Sequence, residues 1–129
     1  MPEGNVVALR PAERVRQDIE PIAMLYRNLG PAMAEQTVTQ SLSELAISMA
    51  QMAGQIREND FVGIVEELDW LQEMARDLGL VSLGEVAEDL RDCIDAADPT
   101  AFDAVWARLV RVAALLISAD IERLDWTLN

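Results

Sequence analysis

The sequence predicts an all-α protein: an antiparallel up-down-up-down four-helix bundle with an additional N-terminal helical segment. Apolar residues recur at helical spacing along most of the chain, short links with helix-ending residues separate these segments, and no segment alternates apolar and polar residues as a strand would. At 129 residues the chain can form one domain with a full helical core. We divide it into a flexible tail (1–10), an N-terminal helical segment (11–30) and the bundle (31–129).

The segment from Asp60 to Asp98 is predicted to form a helical hairpin around which the other helices pack. The apolar positions of its first helix are Phe61, Val65, Leu68, Leu71, Ala75 and Leu78. Asp60 precedes this helix as an N-cap, and Gly79 follows it where a left-handed C-cap favours glycine. The second helix is predicted to open with a capping box, with Ser82 as the cap and Glu85 three residues later.

The remaining helices are predicted on both sides of this hairpin. A long helix over 32–57 carries an apolar heptad seam, and a last helix begins with Asp98 as N-cap and Pro99 as first helical residue. Pro21 interrupts the apolar pattern of the N-terminal segment, which is therefore either kinked or split there. If the last helix continues to Leu128 it is about 45 Å long and exceeds its neighbours. Its end then needs a partner, either the N-terminal helix or a second subunit.

The charge of the chain limits its partners. The net charge is −13, there is no lysine, and residues 58–129 hold 17 acidic side chains against 5 arginines. A chain this acidic repels phosphate groups, which predicts no nucleic-acid partner and no anionic membrane surface. No apolar run is long enough to span a bilayer, and the N-terminus lacks the pattern of a secretory signal. With Cys93 as its only cysteine, expected to pack in the core, the protein is predicted to be cytoplasmic.

The inventory of reactive residues argues against catalysis. The chain has no histidine, which excludes Ser-His and Cys-His nucleophilic catalysis. One cysteine and no histidine exclude zinc sites built from His and Cys, and without lysine no phosphate-binding Gly-x-x-x-x-Gly-Lys loop exists. The abundant carboxylates fall on polar helix faces, where they lack the dry pocket that general acid–base catalysis requires. We therefore predict no catalytic residue, no metal site and no cofactor.

The segment from Ile56 to Asp98, continued by the last helix, resembles a histidine phosphotransfer (HPt) domain of bacterial phosphorelays. In that family one helix carries an exposed His-x-x-Lys-Gly segment, and a glycine follows ten residues after the histidine. Matching this glycine to Gly79 puts Asp69 at the histidine position, Gln72 at the lysine and Glu73 at the glycine. The resemblance therefore implies a degenerate member in which the phosphoacceptor is replaced by an acid.

The resemblance also implies a partner and a surface that contacts it. The partner is a response-regulator receiver domain or a sensor kinase. Because this chain lacks the imidazole nucleophile, the resemblance implies that it still recognises this partner but has lost phosphotransfer. The predicted partner-facing surface consists of Val62, Glu66, Asp69, Gln72, Glu73 and Arg76. Asp69 is expected to be exposed near the middle of its helix, because Leu68 and Leu71 take the core side.

Three functional hypotheses compete at this point. The first is an HPt-like module that binds a receiver or kinase without relaying phosphate; an exposed apolar Val62 beside Asp69 would favour it. The second is a structural or oligomerising bundle without a phosphorelay partner, with a homodimer formed through residues 11–30 and the end of the last helix. The third is an enzyme or small-ligand carrier, which requires a pocket inside the bundle with a buried carboxylate.

Overall fold

A computed structural model describes residues 15–128, with side chains described through Asp120. Its helices are α1 (Glu20–Leu29), α2 (Pro31–Arg57), α3 (Phe61–Leu78), α4 (Val81–Asp95) and α5 (Pro99–Leu128). No strand occurs within this range, so the predicted all-α class is confirmed for these residues. The predicted tail (1–10) lies outside the described residues.

The four long helices pack in a ring around a common core. Each contacts the next along the chain, and α5 closes the ring by packing against α2. Within the described residues, the diagonal pairs α2–α4 and α3–α5 make no backbone approach within 8 Å. Helix α1 packs outside the ring against α2 and α3. This arrangement is compatible with a four-helix bundle that carries one additional helix.

The core consists mainly of leucine side chains from all four long helices. Its fully buried large residues include Leu45, Met52, Ile64, Leu68, Leu71, Leu83, Leu90, Leu109, Val86 and Val112. The predicted stripe on α3 is buried from Leu68 to Leu78, but Phe61 is 43% exposed. Periodicity alone misplaces Phe61, because the core begins one turn later with Ile64. The Phe61 ring instead packs edge-on against Phe102, with 6.1 Å between centroids.

The predicted caps at three helix ends are present. The Asp60 carboxylate accepts a hydrogen bond from the Gly63 N–H at 3.0 Å, and the Asp98 carboxylate accepts one from the Ala101 N–H at 3.1 Å. Gly79 ends α3 in the left-handed conformation with φ of 71°. These ends depend on residues that are close together in the chain, which is why the sequence identifies them.

The predicted capping box at the start of α4 is wrong. Helix α4 begins at Val81, with Leu80 at the N-cap position and no side-chain cap. Ser82 lies in the first turn and is buried, and its hydroxyl accepts a hydrogen bond from the Arg16 N–H at 2.6 Å. The Ser82 N–H in turn donates to the Arg16 carbonyl at 3.2 Å, and the Arg16 guanidinium pairs with Glu85. A distant segment of chain therefore satisfies the first turn of α4 in place of a local cap.

The N-terminal segment covers the link between α3 and α4. Residues 15–18 have no regular structure, and the Asp18 N–H donates to the Gly79 carbonyl at 2.8 Å. Helix α1 then starts at Glu20, so Pro21 lies in its first turn, where proline is tolerated. Ile22 and Tyr26 of α1 line a cavity together with Leu116, Ala119 and Asp120 of α5. The side chains at the end of the long last helix lie outside the described residues, so its partner there stays a prediction.

Candidate functional site

Asp69 lies near the middle of α3 and its side chain is 56% exposed to solvent. Leu68 and Leu71 on either side are fully buried in the core. The orientation of the helix is fixed on the α2 side as well, where the buried Ser48 hydroxyl donates to the Glu67 carboxylate at 2.5 Å. Successive residues turn by about 100° in a helix, so Asp69 is rotated by roughly 200° from Glu67. The predicted exposure of Asp69 is confirmed.

The carboxylate of Asp69 forms an ion pair with Arg91 of α4, a partner that the periodicity of α3 does not predict. Both side chains are more than a third exposed, and such pairs contribute only about 0–1 kcal/mol to stability. A signal for the pair exists in the sequence. Arg91 is the only basic residue of α4, and it lies about as far after the Gly79–Leu80 link as Asp69 lies before it.

The other predicted surface residues lie on the solvent-exposed face of α3 and on both sides of it. Val62 is 75% exposed and Glu66 is also exposed. Gln72 and Arg76 line a groove of about 350 Å³ between α3 and α4, whereas Glu73 lines a separate cavity between α2 and α3. The six residues thus share one helix but do not form a single concave site.

The α3–α4 side of the bundle carries most of the negative charge. Within their bounds, α3 and α4 together have ten acidic side chains and two arginines, whereas α2 and α5 have six acidic side chains and four arginines. The surface around Asp69 therefore favours a cationic partner group and repels an acidic one unless a cation lies between them.

One cavity contains the buried carboxylate that the enzyme or carrier hypothesis requires. Asp120 is 8% exposed and lines a cavity of about 220 Å³, together with Gln17, Tyr26 and otherwise apolar residues. Asp120 already has an interaction partner, and no serine, cysteine or lysine lines the cavity. Among residues 15–120, no group of three or more acidic or cysteine side chains is placed to hold a metal ion.

Cys93 is half-buried and lines an apolar cavity at one end of the bundle. Burial raises the pKa of its thiol above the ordinary value, and the negative charges of Asp98, Asp89 and Asp92 raise it further. The thiol of the folded protein is therefore protonated at neutral pH and a weak nucleophile.

The reactivity of Cys93 should report this raised pKa. We expect the rate of alkylation by N-ethylmaleimide to rise with pH around a higher midpoint in the folded protein than in urea-unfolded protein, because the thiolate is the reacting form. Single-site labelling followed by mass spectrometry measures both profiles. A folded midpoint equal to or below the unfolded one would contradict the assignment of this environment.

The fold and the surface define an all-helical protein with an exposed acid near the middle of its third helix. None of the described helices is both long enough and apolar enough to cross a membrane. Comparison with known proteins gives no match to a family model, a curated protein or a solved structure. The resemblance to HPt domains rests on the residues of this chain alone.

Proposed function

We propose that the chain is a non-catalytic HPt-like protein-interaction module of two-component or phosphorelay signalling, with Asp69 in place of the phosphoacceptor histidine. One observation carries the proposal: Asp69 is exposed near the middle of α3, and an apolar Val62 two turns earlier on the same helix also faces solvent. In a cytoplasmic setting the module binds a receiver domain or a sensor kinase as a decoy, scaffold or brake.

The proposal includes an antiparallel up-down-up-down arrangement of α2 to α5. Links of two or three residues support it, because such short links join antiparallel neighbours. Side-chain proximities support it too. Along each pair of helices, the residue number on one helix falls as the residue number of its neighbour on the other helix rises, as expected for antiparallel helices. The pairs are Ser48 with Glu67 and Gln55 with Gly63 for α2–α3, and Asp69 with Arg91 and Ala75 with Gly84 for α3–α4.

Loss of phosphotransfer is part of the proposal for chemical reasons. Phosphorylation of a carboxylate would need a metal and a cation site to neutralise the incoming phosphoryl oxygens. Asp69 has Arg91 beside it, but the described residues near it offer no cluster of metal ligands. The module is therefore proposed to bind its partner without accepting phosphate from it.

A charge placed on the proposed surface should weaken partner binding. We expect Val62→Arg to reduce retention of receiver-containing proteins from the native host by at least about tenfold, since it puts a long charged side chain into the contact. Ile47→Arg is the matched control, because Ile47 is a similarly exposed aliphatic residue (66%) on α2. Quantitative mass spectrometry of a pull-down, followed by titration of the purified receiver, measures the effect. Equal binding by wild type and Val62→Arg would exclude this surface.

Restoring the family pattern should restore phosphate acceptance. The triple variant Asp69→His, Gln72→Lys and Glu73→Gly is expected to take up label from a phosphorylated receiver domain, whereas the wild type stays unlabelled. The new imidazole would stand at the exposed position of Asp69. Autoradiography with radiolabelled phosphate measures the transfer.

Folding must be checked in the triple variant, because glycine inside a helix costs about 1 kcal/mol. Glu73→Gly alone is the control for stability, measured by circular dichroism. A triple variant that folds but accepts no phosphate would favour the structural alternative.

A second candidate function is a structural or oligomerising bundle, and exposed apolar residues favour it. Ile19, Met24, Leu29 and Met33 are all exposed on the stretch from the start of α1 to the first turn of α2. Most of this stretch belongs to the segment 11–30 of the predicted homodimer; the side chains at the end of α5 lie outside the described residues. Sedimentation equilibrium of wild type and Met24→Asp tests it. A monomer at all concentrations would exclude a dimer.

A further inference from the structure

A cavity of about 560 Å³ lies at the end of the bundle formed by the α2–α3 and α4–α5 links. It is separate from the Asp69 surface and from the cavity that contains Asp120. The residues that line it include Ile56, Phe61, Cys93, Ile94, Phe102 and Asp103. Its volume falls within the range of small-molecule sites, about 300–1,000 Å³.

Most of the residues that line the cavity are apolar, and they include both phenylalanines of the chain. Phe102 is buried, while Phe61 stays 43% exposed at the cavity although it is a large apolar side chain. The two rings meet edge to face, with 82° between their planes. An apolar group in the cavity would cover the exposed ring surface of Phe61, which favours binding through the hydrophobic effect.

The charged residues of the cavity lining are both acidic. Asp98 and Asp103 line it, and no basic residue does so among the described side chains. One oxygen of Asp98 caps α5, whereas Asp103 is exposed and makes no ion pair among the described residues. The raised pKa of Cys93, caused in part by Asp98, agrees with a negative potential in this cavity.

Two of the residues that line the cavity have left-handed backbone conformations. Asn59 in the α2–α3 link and Ala97 in the α4–α5 link have φ values of 56° and 53°. Both residues line the cavity. Both follow the C-cap of a helix, where a left-handed residue is common, although alanine adopts this conformation less readily than glycine.

We propose that this cavity binds a small organic ammonium ion with an aromatic or branched apolar body. The body packs against Phe61, Ile56 and Ile94, and the cationic group lies near Asp98 and Asp103. Aromatic rings attract cations through their quadrupole, so the phenylalanines add to the attraction of the carboxylates. An anionic ligand of the same shape is repelled by the faces of the phenylalanine rings and by the carboxylates.

Three probes of the same shape and different charge test the proposal. They are 2-(2-naphthyl)ethylammonium, the neutral 2-naphthaleneethanol and the anionic 2-naphthaleneacetate, each titrated into the full chain and followed by calorimetry and by NMR shifts of the phenylalanine rings. We expect the cation to bind at least about tenfold more tightly than the anion at about 0.1 M salt, with the alcohol between them. Equal binding of cation and anion, tighter binding of the alcohol, or no binding would overturn the proposal.

Two variants with the same change of net charge separate a local site from the general negative field. Asp103→Asn removes a carboxylate that lines the cavity, and Asp77→Asn removes an exposed carboxylate that lines the separate α2–α3 cavity. We expect Asp103→Asn to weaken binding of the cation by about threefold or more while binding of the alcohol is unchanged, and Asp77→Asn to have no effect. Equal weakening by both variants would show a non-specific field and overturn the proposal.

Cys93 gives an independent measurement of occupancy. It is the only cysteine of the chain and lines the cavity, so alkylation by N-ethylmaleimide occurs at one site. We expect saturating cation to slow this alkylation severalfold, whereas the anion at the same concentration leaves the rate unchanged. An unchanged rate with bound cation would place the ligand elsewhere.

Discussion

Gly79→Ala is expected to destabilise the protein by about 2–4 kcal/mol, because two costs combine at this position. The residue has a φ of 71°, which a side chain with a Cβ atom disfavours. A Cβ atom added there would also overlap with the Asp18 carbonyl oxygen and approach the Pro21 Cδ atom at 3.2 Å. The hydrogen bond from the Asp18 N–H to the Gly79 carbonyl would then be lost, and the N-terminal segment would separate from the α3–α4 link. Urea unfolding followed by circular dichroism measures the loss.

Gly84→Ala is the matched control for this prediction. Gly84 is a helical residue of α4, and a Cβ atom there would lie 3.5 Å from the Ala75 Cβ atom, an ordinary van der Waals distance. Alanine should therefore stabilise the helix, by up to about 1 kcal/mol. The two substitutions are expected to change the free energy of unfolding in opposite directions. A value for Gly79→Ala within about 0.5 kcal/mol of wild type would contradict the packing of residues 15–18 on this link.

Hydrogen exchange gives a second readout for Gly79→Ala. If the N-terminal segment separates, the Ser82 amide loses its bond to the Arg16 carbonyl and should exchange faster. Amides in the middle of α4 should follow only the change in global stability.

Leu68→Ala is expected to cost about 2–5 kcal/mol, the range for truncating a fully buried leucine. Leu68 has no exposed surface and lies next to Asp69 on α3, so its burial helps to keep the carboxylate facing outward. Leu45→Ala, at an equally buried position of α2, should fall within the same range. Chemical unfolding measures both.

Val62→Ala is the control for this truncation on the same helix. Val62 is exposed, so its loss should change stability by less than about 0.5 kcal/mol. A loss below about 0.5 kcal/mol for Leu68→Ala as well would mean that the core side of α3 is wrongly assigned.

The helix ends could be predicted wherever their stabilising groups are close together in sequence. Asp60 caps through the amide three residues later, and Gly79 ends α3 through its own backbone conformation. Ser82 could not be placed in this way, because its partner is Arg16, 66 residues away. The capping pattern is present in the sequence, but in the folded protein the Ser82 hydroxyl accepts a hydrogen bond from Arg16 instead of capping α4.

Only the features of the candidate site that depend on α3 alone could be predicted from the sequence. Exposure of Asp69 follows from the burial of its neighbours, which the apolar spacing of α3 already indicates. Its ion pair with Arg91 depends on how α3 and α4 align, and the separation of Gln72 from Glu73 depends on the helices on either side. Phe61 was misassigned for a related reason, since a stripe of apolar residues does not show where the bundle ends.

The unequal charge of the two helix pairs gives the protein a permanent electric dipole moment across the bundle. A positively charged partner that approaches the protein exerts a torque on this dipole. The torque turns the α3–α4 side toward the partner before contact. This pre-orientation raises the fraction of productive collisions and weakens as salt shortens the Debye length, about 10 Å at 0.1 M. The rate of association with a basic partner should therefore depend on ionic strength even where the final contacts are uncharged.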